Sequence, residues 1–149
     1  MSDQCRTVDE RGSALLLVPA GILIVLVLTA ITVDASLGFM AERSAANIAS
    51  SAANDMVSLG IDIEHFRDTG KYRLAGNLET AIAVVSANAQ AQAGDLFIPG
   101  TFAMEINVVD PVNIEVVARG QVERLIMSSL TSGPFQISAR AIGTADAIP

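Results

Sequence analysis

Tryptophan is absent from this chain, and tyrosine, histidine and cysteine occur once each, beside five phenylalanines. With so few rings, any core must be built from alanine and aliphatic side chains, which implies a small and modestly stable domain. The lone Cys5 excludes an internal disulfide and a cysteine-based metal site. No apolar stretch precedes it, as one would in a lipoprotein signal, so it is read as incidental. Basic residues are also scarce, with nine Lys+Arg against sixteen Asp+Glu and a net charge of −7. No Lys/Arg cluster tracks a phosphate backbone, which leaves nucleic-acid binding without an electrostatic footprint.

What the chain does have is one long uncharged run inside "RGSALLLVPAGILIVLVLTAITVDA", residues 11–35. Such a run can be a cleaved secretory signal, a permanent membrane anchor, or the first helix of a filament subunit. Ser13 to Val33 is 21 residues without a charge, which as a helix covers about 30 Å, the thickness of a bilayer core. A cleavable signal has an apolar core of about 7–15 residues behind a basic flank. This run is longer and its flank "MSDQCRTVDERG" is not clearly basic, so a retained membrane helix is the better reading. Pro19 inside it fits a mild kink, which membrane helices tolerate. Arg6 and Arg11 before the run outweigh Arg43 after it, which favours a cytoplasmic N-terminus and a domain outside. Asp34 ends the run, either as the acid at the outer membrane boundary or as the partner of a basic group on another helix.

Beyond the run, Ala35–Leu59 contains no Pro and a single glycine, Gly38. Leu37, Met40, Ser44, Ile48, Ala52, Met56 and Leu59 recur at spacings of three and four and define one helical face. "SAAN" occurs at 44–47 and again at 51–54, one heptad apart. Small side chains at that spacing let another backbone approach closely, although alanine is also simply a good helix former. The expected result is one helix of about 45 residues, about 70 Å long, running from the bilayer into the domain.

Gly60 is placed to end that helix as a C-cap. A short helical turn is expected from Asp62 to Asp68, and a second helix from an Asn77 N-cap to about Ala93, closed by Gly94. The period then changes to two. Phe102, Met104, Ile106 and Val108 share a face, "DP" at 110–111 breaks the strand, and "NIEVVAR" alternates again. "QVERLIMSSL" reads as a short helix or irregular crossing, followed by a strand in "FQISARAIGTA" with Phe135, Ile137, Ala139 and Ala141 inward. This order predicts an α+β fold: a long helix, a second helix, and an antiparallel sheet of about three strands with one face covered.

Candidate chemistry is thin. "DIEHFRD" gathers Asp62, Glu64, His65 and Asp68, but there is no second histidine and the spacing fits neither an EF-hand loop nor a zinc motif. Arg67, Lys71 and Arg73 nearby point to surface ion pairing. No Gly-x-Ser-x-Gly turn or Gly-rich phosphate loop occurs, so neither an active site nor a cofactor or metal is expected.

The order of these features resembles the TadE/TadG-like proteins of bacterial tight-adherence (Flp-type) pilus systems. The likeness is carried by "ERGSALLLVPAGILIVLVLTAITVDASLGFMAERSAANIASSAAND", by "DIEHFRDTGKYRL", and by the closing "IEVVARGQVERLIM" and "FQISARAIGTADA". The resemblance implies a single-pass, pilin-like protein of the inner membrane with its domain outside the cytoplasm. Its partners would be the membrane and other pilus-assembly or pilin-like proteins, met through the N-terminal helix. Some relatives are cut after a glycine by a prepilin peptidase, which here implies the Gly12–Ser13 bond. Those prepilins carry Glu five residues after the cut, where this chain has Leu17, and the difference favours a non-polymerising accessory role. The expected organisation is a segment or leader at 1–12, a transmembrane helix at 13–34, a helical stem at 35–60 and an extracytoplasmic α+β domain at 61–149. A processed minor pilin is one alternative. Another is an anchored ligand-binding or sensor domain using "DIEHFRD".

Overall fold

A computed structural model describes residues 11–74, 78–126, 128 and 133–145. Helix α1 runs unbroken from Arg11 to Gly60, with Pro19 inside it. At about 1.5 Å per residue its 50 residues reach about 75 Å. Three hydroxyls in and just beyond the apolar run are satisfied inside the helix. Thr29, Thr32 and Ser36 each donate to the carbonyl four residues back, at 2.8 Å.

Helix α2 (Ile63–Thr69) is bounded by its own chemistry. Asp62 accepts from the His65 N–H at 3.0 Å, and Gly70 takes the left-handed conformation (φ 68°), its N–H donating to the Phe66 carbonyl. Helix α3 (Leu78–Ala93) buries Ala81, Val85, Ala89 and Ala93, one residue every four along a single stripe. The expected cap Asn77 lies outside the described residues. Gly94, with φ 52°, turns the chain into a short 3₁₀ segment, Gly94–Leu96.

Strands β1 (Ala103–Val108), β2 (Asn113–Val122) and β3 (Phe135–Thr144) form an antiparallel sheet in the order β1-β2-β3. The fold is α+β. Ile114, Val116, Ala118 and Val122 of β2 are buried beneath α1 and α3. The opposite face carries polar pairs, Arg119 with Glu105 at 3.4 Å and Arg140 with Glu115. The strand β2 is longer than the alternation in "NIEVVAR" indicated. Gln121 and Val122 pair with Gln136 and Phe135, so the irregular crossing starts later.

The β1–β2 hairpin is closed by Asp110. Its Oδ2 accepts from the Asn113 side-chain amide at 2.7 Å, and Oδ1 accepts from the Val112 and Asn113 N–H groups at 2.8 Å. The Asn113 side chain first, then the Val112 N–H, hold this carboxyl below the usual aspartate value, against an opposing desolvation. Because its folded pKa is depressed, Asp110 stabilises the hairpin fully above the unfolded value of about 3.9 and loses that contribution as pH falls through the folded one.

The stem is part of the core rather than a separate segment. Ala41, Ala45, Ile48, Ala49, Ala52, Ala53 and Met56 are buried against the sheet and α3. Ile48, Ala52 and Met56 lie on the packed face expected for them, while Leu37 and Ser44 are half-buried. Met40 corrects that expectation: it is 60% exposed, and Leu59 51%. The packed line runs mostly through alanines, with Ile48 and Met56 as the larger side chains on it. Gly143 of β3 marks the tightest point. A Cβ there would stand 2.6 Å from the Ala53 carbonyl oxygen and 2.8 Å from Val57 Cγ2. Gly60 likewise serves approach rather than a left-handed cap. It is the last residue of α1, its φ is not positive, and a Cβ would meet Leu78 at 3.3 Å and Leu74 at 3.4 Å.

These contacts predict opposite outcomes for two glycines. Gly143→Ala should destabilise the domain by about 1–3 kcal/mol, the usual cost of overpacking against backbone. Gly38→Ala should be nearly neutral, since its nearest neighbour, the Phe135 ring, would lie at 3.9 Å. Chemical denaturation of the two variants in the same detergent measures both.

Candidate functional site

Two surfaces of α1 carry what this chain offers to its surroundings. The first is the apolar run itself. Leu17, Val18, Ile22, Leu23, Val25 and Leu26 are all more than half exposed. Leu17, Val18, Gly21, Ile22, Val25 and Leu26 border a shallow apolar notch of about 400 Å³ over Gly21. Nothing lies within 4 Å of a Cβ built on Gly21, so the notch is open to another helix or to lipid. Among the described residues, one helix is long and apolar enough to cross a membrane.

The second surface lies where the run meets the domain. Asp34 stands at the end of the run as expected, but its side chain turns inward and is 2% exposed. Its Oδ1 accepts from two consecutive backbone N–H groups, those of Leu125 and Ile126, each at 3.1 Å. A buried acid is costly unless hydrogen bonds replace its water, and converging amides of this kind form an anion-binding concavity. The segment after β2 is thereby tied to the helix. Next to this tie, the Arg124 guanidinium lies over the Phe135 ring, 4.2 Å from its centroid, and the ring rests on Gly38. A surface cavity of about 300 Å³ opens alongside, lined by Ile98, Glu123, Arg124, Ser128, Gly133 and Pro134.

This juncture escaped the sequence reading, which placed Asp34 at a membrane boundary or against another helix. The available signal was weak: an acid directly after an apolar run, and a second short apolar patch, "LIM", that followed neither period. Gly12 and Ser13 lie in the first turn of α1, and Leu17 is exposed one turn further on. In "DIEHFRD", Asp62 is engaged as the cap of α2, Glu64 and Asp68 are exposed, and Phe66 stacks on Tyr72 with centroids 4.5 Å apart. Among the described residues, no group of three or more His, Cys, Asp or Glu is placed to hold a metal ion.

No protein-family model matches the chain, and neither a curated protein nor a solved structure matches it.

If Asp34 ties the 125–126 bend to the helix, Asp34→Ala should lower stability by about 1.5–3 kcal/mol, the range for hydrogen bonds to a charged group. Hydrogen exchange at the Leu125 and Ile126 amides should accelerate in this variant, while amides of β2 opposite β1 stay protected.

Proposed function

We propose that this chain is a pilin-like, membrane-anchored component of a bacterial tight-adherence (Flp-type) pilus assembly system, acting through helix-mediated protein contacts. The observation that carries the proposal is the single helix from Arg11 to Gly60, exposed and apolar in its first half and built into an α+β domain in its second. A hydrophobic spike continuing as the spine of a small domain suits a subunit that docks on neighbours in the bilayer. The sequence resemblance to TadE/TadG-like proteins supplies the system. Arg6 and Arg11 ahead of the run support a domain on the extracytoplasmic side of the inner membrane.

The proposal puts the partner helix against the first half of α1 rather than against the stem. Residues 41–56 spend their small side chains on the chain's own sheet, which leaves the Gly21 notch as the close-approach surface for a partner helix. Leu17, in place of the glutamate of polymerising prepilins, supports an accessory role over a place in the filament.

Removing the gene from its native cell should abolish or sharply reduce surface pili, with recovery on re-expression; unchanged pilus number overturns the proposal. Mass spectrometry of the mature protein should find residues 1–12 retained, whereas a chain beginning at Ser13 would indicate a processed minor pilin. Cysteines replacing Val18, Ile22 or Val25 should crosslink to a membrane partner, and cysteines at Ala45 or Ala49 should not.

A further inference from the structure

We infer that the Leu125–Ile126 bend is a second membrane contact, a foot that enters the boundary between headgroups and acyl chains in the leaflet on the domain's side. The inference rests on the anchor reading and adds to it a depth for the domain. The two N–H···Oδ1 bonds of 3.1 Å hold the bend against the turn of α1 that bears Asp34, immediately after the last residue of the uncharged run. At that height the bend turns its apolar side chains outward, with Leu125 67% and Ile126 47% exposed.

The remainder of the helix surface agrees. With Asp34 buried beneath the bend, no charged side chain of α1 is exposed from Leu17 until Glu42 and Arg43. Leu17 to Ala41 is about 36 Å of helix, longer than a hydrocarbon core of about 30 Å. The surplus at the domain end carries Phe39 and Met40, 65% and 60% exposed, on the sides of α1 turned away from the sheet. Leu125 and Ile126 supply apolar surface on the domain's own side of the helix. A lipid boundary is the occupant that meets all of these at one depth. A partner helix would cover one side of α1 and leave the other in water. Burying the acid under its own chain, with two N–H donors on its Oδ1, shields the one carboxylate that would otherwise hold this depth in water.

The test uses the full chain, with Cys5→Ser, in lipid nanodiscs. Single cysteines at Leu125, Ile126, Ala20 and Asn107 carry an environment-sensitive fluorophore. Asn107 serves as the aqueous reference. It neighbours the end of the sheet where Gly143 meets Ala53, about 28 Å along α1 from Asp34. Labels at Leu125 and Ile126 should be blue-shifted relative to Asn107, quenched by lipids with a nitroxide near the glycerol, and shielded from aqueous iodide. The label at Ala20 should be quenched by nitroxides deep in the acyl chains. Iodide quenching at Leu125 and Ile126 equal to that at Asn107, with Ala20 still in lipid, overturns the foot and leaves the anchor standing. Shielding from both iodide and lipid nitroxides also overturns it, since a protein then covers the bend. If Ala20 itself escapes lipid quenching, the anchor reading fails and the foot with it.

Discussion

The spacing between α1 and the sheet is set by methyl groups. Ala41, Ala45, Ala49, Ala52 and Ala53 let the helix backbone descend until the Ala53 carbonyl is close to Gly143, and the other elements adjust to that separation. The core between helix and sheet is correspondingly poor in large side chains, and Phe97 is the one fully buried ring among the described residues. Phe97 packs on Gly120 of the central strand and on Phe102, and Phe135 lies on Gly38. Packing at interior density with small residues demands close geometric fit, because each atom has few alternatives for contact. The repeated "SAAN" is thus a device for folding within the chain, placing Ala45, Ala52 and Ala53 against its own strands and Asn47 and Asn54 in solvent.

Much of the architecture was legible because local rules and tertiary demands coincide. Alternation identified all three strands, since a half-covered antiparallel sheet enforces a period of two at Ile114, Val116 and Ala118. Asp62 and Gly70 bracketed a short helix through chemistry that operates within a few residues. Less was legible where distance along the chain separates the partners. The bond from Asp34 to the amides of residues 125 and 126 joins positions some ninety residues apart, and backbone N–H groups leave no trace in residue identity. The stem face was rotated for a related reason. Hydrophobicity favoured Met40 and Leu59, whereas the closest contact selects for small volume and places alanines there instead.

The proposed role rests on two properties of α1. One is the physical form, a helix whose apolar half has no cover among the described residues and whose other half cannot leave the domain without dismantling it. The other is the order of sequence features, which resembles that of TadE/TadG-like proteins. Neither depends on a catalytic constellation: in "DIEHFRD" Asp62 caps α2, while Glu64 and Asp68 are exposed. A protein of this design works by where it holds its surfaces.

Since α1 passes from the apolar run into the core without a break at Asp34, anchor and domain share one rigid axis. No linker absorbs rotation between them. Under the proposed anchoring, any tilt or twist imposed on the apolar half would be delivered directly to the orientation of the sheet, so that the molecule would behave as a lever with its fulcrum at the membrane surface.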